Sequence, residues 1–327
     1  MMDETAKRNP INLPISASLS DFFGGRLQRD VPLARFTAAR VGGPAEALLV
    51  VESVDELVEA VSRSWELGIP FVVIGNGSNI LVSDAGIDGV VLVNNARQIR
   101  FEEQSEPVKV WAESGASLGL VARKAAARGL SGLEWATGIP GTVGGAVVGN
   151  AGAHGGDTAG SLILAEILHL VDMHEQMSGL VRREEWPVEK MAFGYRTSIL
   201  KRSQGIVVLA AYFKLKRSTS EAVLATMEGY TQERKRSQPP GASMGSIFKN
   251  PPGDYAGRLI EACGLKGRSI GDAEISRQHA NFFINQGQAK AADIYHLIQI
   301  ARSSVAEKFG VNLELEIELV GNWVTND

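Results

Sequence analysis

The sequence predicts an α+β protein with a glycine-rich front half and a smaller back domain. Three observations carry that prediction. Apolar runs of strand length alternate with amphipathic stretches of helical length. Glycines crowd two loops of the front half, and a charged helical stretch, Ser220 to Arg236, separates front from back. With 327 residues the chain is long enough for two or three domains, because single cores stop growing at about 250–300 residues.

Taken in order, Ala47 to Val51 reads as a strand. Ser53 then caps a helix, Glu56 completes a capping box, and Gly68 ends it. Pro70 to Ile74 is a short apolar strand, and Gly89 to Val93 and Val108 to Ala112 are further strands. Leu118 to Arg128 is a helix closed by Gly129. Gly138 to Gly156 holds too much glycine for a regular element, since each glycine costs a helix or strand backbone entropy. Strands resume at Ala165 to Met173 and Ile206 to Leu215, and Arg217 to Thr219 marks a domain boundary. Behind the charged helix come a helix (Asp254 to Cys263), a strand (Ala280 to Asn285), a long helix (Ala291 to Phe309) and a last strand (Leu313 to Val320). In that last run Glu314, Glu316 and Glu318 alternate with leucines and Ile317, the pattern of a half-buried strand with a solvated acidic face.

Composition excludes several classes. A net charge of −4 does not indicate a nucleic-acid or anionic-membrane surface. Cys263 is the only cysteine, which rules out an internal disulfide and any multi-cysteine metal site; its helical setting suggests a buried structural thiol. The histidines lack metal-ligand spacing, so no metal is expected. Met1 to Ser16 has no apolar core and is not a signal peptide, and no run approaches the roughly 20 apolar residues that span a bilayer. A cytoplasmic monomer is expected.

The two glycine loops point to a ligand. Gly75-Asn76-Gly77-Ser78-Asn79 follows a buried strand, where glycines let successive N–H groups converge on an anion. The second loop supplies Gly138, Gly141, Gly144, Gly145, Gly149 and Gly152, which would let a flat ligand approach the main chain. Neither is a Walker loop, for want of Gly-Lys-Ser/Thr, and neither is a Rossmann fingerprint, because Ile80 stands where the last glycine belongs. One such loop alone would read as tight turns; two in one unit favour a large phosphorylated cofactor, which the residues alone do not name.

A resemblance names it. FTAARVGGPAEALLV, VIGNGSNILVSDAGIDGVVL, GLEWATGIPGTVGGAVVGNAGAHGG, FGYRTSIL, GSIFKNPPGDYAGRLIEACGLKG and LELEIELVG follow one another from Phe36 to Gly321. Their order resembles the UDP-N-acetylenolpyruvoylglucosamine reductase family, which makes UDP-N-acetylmuramate for peptidoglycan, and GSIFKNPPGDYAG is close to diagnostic. The short interval between Arg196 and Ser246 resembles the compact subclass that lacks an inserted loop. The resemblance implies the FAD-binding fold of the vanillyl-alcohol-oxidase type with a C-terminal α/β substrate-binding domain. It divides the chain into an N-terminal extension (1–30), an FAD-binding domain (31–217, in subdomains 31–82 and 83–217), a substrate-binding domain (218–310) and a C-terminal strand (311–327).

It also implies the chemistry: NADPH reduces FAD, and reduced flavin N5 then gives hydride to C3 of the enolpyruvyl group. Such a site needs cationic or hydrogen-bonding groups at the substrate carboxylate and an acid over C2. Ser246 matches the proton donor; without the motif it would read as a turn serine. Arg196 matches the residue that binds the carboxylate, a task suited to a planar, permanently charged fork. Glu316 is carried over by its distance from Gly321, although Leu315 and Glu318 depart from the family pattern around it. Gly75, Asn76, Gly77, Ser78 and Asn79 match the FAD pyrophosphate cradle, and Gly138, Ile139, Pro140, Gly141, Thr142 and Gly145 the flavin side. Tyr195, Asn250 and Arg234 match substrate contacts, Arg234 as a diphosphate ligand.

Three departures mark this chain. The segment between Gln238 and Ser246 is about one residue short, and Met244 stands where a small residue is common, which would shift Ser246 or narrow the pocket. His154 replaces a frequent tyrosine; a hydrogen-bonding or solvated histidine is expected there rather than a covalent flavin link, so FAD is expected non-covalently bound. Two other readings stay open on sequence: an FAD-dependent sugar-lactone or hydroxy-acid oxidase of the same fold, and a non-catalytic flavin-binding module.

Overall fold

The computed structural model describes residues 19, 21–171, 181–201, 203 and 205–323. Met1 to Ser16 and Met173 lie outside the described residues. The first sheet uses β1 (Gln28–Pro32), β2 (Pro44–Val51), β3 (Phe71–Ile74) and β5 (Ile87–Asn94), with helix α1 (Val54–Glu66) between β2 and β3 and the short β4 (Ile80–Val82) between β3 and β5. Its order is β1-β2-β5-β3, parallel except for β1. Strand β5 lies at its centre: Val90 and Leu92 pack with Leu57, Ala60 and Val61 of α1, while Val91 and Val93 pack on the other face with Val31 and Leu48. Cover on both faces is why β5 is an unbroken apolar run. Each such large side chain contributes roughly 1.5–3 kcal/mol.

Ser53 caps α1 by accepting from the Glu56 N–H at 3.2 Å. The reciprocal half of the expected capping box is displaced by one residue: Glu56 accepts from the Glu52 N–H at 2.8 Å, and the same carboxylate holds Arg26. Gly68, at φ +63°, closes the helix in the left-handed region that suits glycine.

A second sheet follows, built from β6 (Ile99–Glu102), β7 (Lys109–Glu113), β11 (Leu162–Leu170), β12 (Val181–Pro187) and β13 (Ile206–Lys214). It is antiparallel in the order β12-β11-β13-β7-β6. Between β7 and β11 run α2 (Leu118–Ala126), β8 (Leu130–Ser131), α3 (Val143–Gly149), the two-residue strands β9 (Gly152–Ala153) and β10 (Gly156–Asp157), and α4 (Thr158–Ser161). Helix α3 corrects the reading of Gly138 to Gly156 as irregular. Thr142 caps it, accepting from the Gly145 N–H at 3.4 Å, and Val143, Ala146 and Val147 bury against the second sheet, so packing overrides glycine's cost.

The back half begins with β14 (Lys216–Arg217), paired to β8, and α5 (Ser220–Ser237). Helix α6 (Ala256–Ala262), a small sheet of β15 (Ser269–Ile270), β16 (Ala273–Ile275) and β17 (Phe283–Asn285), helix α7 (Ala291–Phe309) and β18 (Glu318–Val320) complete it. Its core joins Ile247, Phe248, Leu259 and Leu297 to Ala39, Val41 and Leu81 of the front half. Met244 is 2% exposed within that core, so its bulk fills the back domain instead of narrowing a pocket. Cys263 is half-buried at the C-terminal cap of α6, with Sγ 3.5 Å from the Ser304 carbonyl, rather than a fully buried thiol.

Strand β5 inserts between β2 and β3, so the change from first to second sheet falls between Asn94 and Ile99. Strand β1 pairs with β2 from Gln28 onward, so the described end of the N-terminal extension already belongs to the first sheet. Among the described residues no helix is long and apolar enough to cross a membrane, and no group of three metal-ligating side chains comes together.

Candidate active site

Ser246 opens a short segment held from both edges. On one side Ser246 pairs with Phe282, and the Ile247 N–H donates to Asn281 O at 2.8 Å. On the other, Phe248 pairs with Leu315, the Glu316 N–H donates to Ile247 O at 2.8 Å, and the Lys249 N–H donates to Glu314 O at 2.9 Å. The Asn281 carboxamide then behaves as one more strand residue: Oδ1 accepts from the Phe248 N–H at 2.9 Å and Nδ2 donates to Phe248 O at 2.8 Å. Ile247 and Phe248 are buried anchors, which leaves half-buried Ser246 at the end of a rigid piece of backbone.

The tail 313–320 is not the continuous strand expected. It bends at Glu316 and Ile317: before the bend only Leu315 pairs, with Phe248, and after it Glu318 to Val320 pair parallel to β4. The acidic face is not uniformly solvated either, because each glutamate meets its own cation. Glu314 lies 3.3 Å from Lys249, Glu318 lies 3.3 Å from Lys201, and between them Glu316 Oε1 lies 2.7 Å from Arg196 Nε. The Glu314 side chain is 76% exposed and that of Glu316 only 16%. Burial pushes the Glu316 carboxyl above its ordinary range, against the opposing pull of Arg196, Lys201 and Lys249.

Arg196 occupies the left-handed region at φ +56°, a conformation that costs a non-glycine residue roughly 1–3 kcal/mol. Its neighbours hold it there. Gly194 and Thr197 exchange two backbone hydrogen bonds, Asn150 Nδ2 donates to Gly194 O at 2.9 Å, and Ser198 Oγ donates to Val148 O at 2.6 Å. Arg196 Nη1 donates to Gly152 O at 2.9 Å, and its guanidinium carbon lies 5.8 Å from the centre of the exposed Tyr195 ring. Arg196, Tyr195, Asn150, His154 and Asp157 line an open groove of about 510 Å³.

The glycine loops face each other beside this cluster. A Cβ placed on Gly75 would lie 2.5 Å from Thr142 Oγ1, and one on Gly77, at φ +56°, would lie 2.1 Å from Phe36 O. A Cβ on Gly141 would lie 3.6 Å from Ser78 Oγ, and one on Gly138 3.0 Å from Arg234 Nε. At Gly75 the two loops touch only because a side chain is missing. Burial lowers the pKa of Arg234, and among the described residues no carboxylate pairs with it. A desolvated cation beside two closely approaching glycine loops fits a flat, anionic ligand such as FAD or a nucleotide diphosphate.

The predicted site residues thus fall into two linked groups. Gly75, Ser78, Gly138, Gly141, Thr142 and Arg234 come together, with Asn76 and Pro140 exposed on the same loops, Gly145 exposed in the first turn of α3 and Ile139 half-buried. Asn79 joins this group to the second: its Nδ2 donates to Glu316 O at 3.1 Å and its carbonyl accepts from the Glu318 N–H. Arg196, Glu316 and the Ser246 segment form that second group. Asn250 stands apart as an exposed residue whose Oδ1 accepts from the Ala256 N–H at the start of α6. Sequence reasoning missed Asn281 and Asn285, although two asparagines bracketing the apolar Phe282-Phe283-Ile284 were a readable sign of buried polar anchors.

A family model for an FAD binding domain matches residues 45–170, and one for the C-terminal domain of UDP-N-acetylenolpyruvoylglucosamine reductase matches residues 236–320. The UDP-N-acetylenolpyruvoylglucosamine reductase of Chloroflexus aggregans is 45% identical over 298 residues, covering 90% of this chain and 97% of that one. That of Rubrobacter xylanophilus is 43% identical over 304 residues, covering 91% and 98%. The crystal structure of the UDP-N-acetylenolpyruvylglucosamine reductase from Thermus caldophilus matches with a TM-score of 0.74 at 38% identity, over 90% of this chain and 98% of that one.

Proposed function

Because the chain belongs to the UDP-N-acetylenolpyruvoylglucosamine reductase family, we propose that Arg196, Glu316 and Ser246 form the centre at which it reduces the enolpyruvyl group. The chain is an FAD-dependent oxidoreductase of peptidoglycan precursor synthesis, and the observation that carries the residue assignment is the junction of Arg196, Glu316 and the Ser246 segment. Residues 31–217 would hold FAD, 218–310 the substrate, and 311–327 would return Glu316 to the front half, in accord with the two family matches.

Gly75 to Asn79 would cradle the cofactor's pyrophosphate, and Gly138 to Thr142 with Gly145 would lie against its ring. FAD held there and reduced by NADPH would supply the hydride that adds to C3. As it adds, the electron pair of the double bond moves to C2 and into the substrate carboxylate. The Arg196 fork meets that growing negative charge. A substrate carboxylate arriving at Arg196 competes with Glu316 for the same guanidinium, and the buried Glu316 carboxyl is already displaced toward its protonated form. Protonated, Glu316 donates a hydrogen bond to the carboxylate instead of repelling it. Ser246 Oγ delivers the proton to C2, completing reduction of the double bond. Arg234, Tyr195 and Asn250 are assigned to the sugar nucleotide, and the protein is read as a cytoplasmic monomer.

The test follows NADPH absorbance with the purified holoenzyme. Oxidation that requires UDP-N-acetylenolpyruvoylglucosamine and yields UDP-N-acetylmuramate is expected. Oxygen consumption with a hydroxy acid, and indifference to the enolpyruvyl substrate, would overturn the assignment.

A further inference from the structure

We infer that His154 is a positioning residue for substrate binding, clasping the hairpin that seats Arg196 to the helix that carries Arg234. The inference rests on the reading that both arginines serve the sugar nucleotide. Strands β9 and β10 form a two-residue hairpin, with Gly152 opposite Asp157 and Ala153 opposite Gly156. Gly152 O accepts from Arg196, and two residues on, His154 sits in the turn at φ +51°. Its ring stacks on Tyr230 at 4.1 Å and 7° between planes, and Nδ1 lies 3.2 Å from Glu233 Oε2. The His154 side chain is 10% exposed and that of Glu233 55%, so the ring is sheltered while its carboxylate partner stays open to solvent.

Helix α5 needs such a clasp. Its buried residues, Val223 and Met227, lie in its first half. Beyond them the helix is charged, and Tyr230 and Arg234 are one turn apart on a shared face. Among the attachments of this second half are the His154 stack, the packing of Arg234 on Gly138, and Gln278 Nε2 donating to Arg236 O and Gln238 O. The Glu233 carboxylate beside Nδ1 and the Tyr230 ring on its face hold the imidazole between them. The two cations, from different halves of the chain, are thereby set at a fixed separation along a ligand that must touch both.

The experiment is a double-mutant cycle on the oxidised holoenzyme, with the Kd for UDP-N-acetylenolpyruvoylglucosamine read by titration calorimetry and KM and kcat read separately. Arg234→Ala is expected to weaken Kd about tenfold, and His154→Ala about fivefold, raising KM more than it lowers kcat. In the Arg234→Ala background the His154→Ala effect should shrink to less than about twofold, because residues that act through one another are not additive. Glu233→Gln, a milder cut of the same clasp, should weaken Kd in the same direction and serves if His154→Ala does not fold. If Arg234→Ala weakens binding but the His154 or Glu233 change is silent or fully additive, the clasp is refuted and the site reading survives. If Arg234→Ala leaves Kd unchanged, the assignment of Arg234 is refuted and the clasp with it.

Discussion

Asn281→Ala is the substitution whose cost can be worked most directly from the structure. It removes the carboxamide that satisfies both the N–H and the C=O of Phe248, at 2.9 and 2.8 Å. Phe248 is 1% and Asn281 2% exposed, so water reaches the vacated groups poorly. A buried backbone group left unpaired costs about 1–3 kcal/mol. Two such groups, partly relaxed, give about 3 kcal/mol. At roughly 2–4 °C per kcal/mol for a domain of this size, Tm should fall by about 6–12 °C. The backbone bond from the Ile247 N–H to Asn281 O is independent of the side chain and keeps the segment in register, so the variant should still fold. Ser246 should nevertheless lose its fixed position, and a displacement of about 1 Å can cost on the order of a hundredfold in rate. Thermal melts of the holoenzyme together with kcat test this. A Tm within about 2 °C of the parent and kcat within twofold would show that Asn281 does not hold the Ser246 segment.

Two further outcomes follow from single contacts. Gly77→Ala forces a Cβ to 2.1 Å from Phe36 O at a φ of +56°, so the loop must move, and the ratio of bound flavin to protein should drop at least severalfold. Gly149→Ala, with nothing within 4 Å, should leave that ratio unchanged. Glu316 makes stability depend on pH with a definite sign. Its carboxyl is raised in the folded protein, so its contribution is full below the ordinary value of 4.5 and is lost as pH rises through the folded value. The denaturant midpoint of the parent minus that of Glu316→Gln should therefore decrease from pH 5 to pH 8; an increase would mean that Arg196 outweighs burial.

Local patterns in the sequence were enough for elements whose causes are local. The boundaries of Ala291 to Phe309 follow from helical periodicity closed by Gly310, and β5 was legible as an apolar run because both its faces are covered. Helix α3 was not legible, because its stability comes from Val143, Ala146 and Val147 packing on a sheet assembled from distant strands. The bend at Glu316 was hidden for the same reason. Alternation of glutamate and leucine describes a strand, and only Arg196, Lys201 and Lys249, brought in from two other segments, draw the three glutamates in different directions. Arg196, Ser246 and Glu316 were found through motif resemblance rather than physics, since each alone is explained by a loop, a turn or a solvated face. Asn281 carries no motif and shows its role only when its two partners on Phe248 are seen.

The central claim is that Ser246 protonates the substrate at a site joined to Arg196 and Glu316. Its most direct test is to reduce the flavin of the holoenzyme with NADPH without oxygen, add UDP-N-acetylenolpyruvoylglucosamine, and time reoxidation in the parent and in Ser246→Ala. Loss of a positioned acid should slow reoxidation by about 10²–10⁴-fold while NADPH still reduces the variant at the parental rate. Reoxidation of Ser246→Ala at the parental rate would contradict the account.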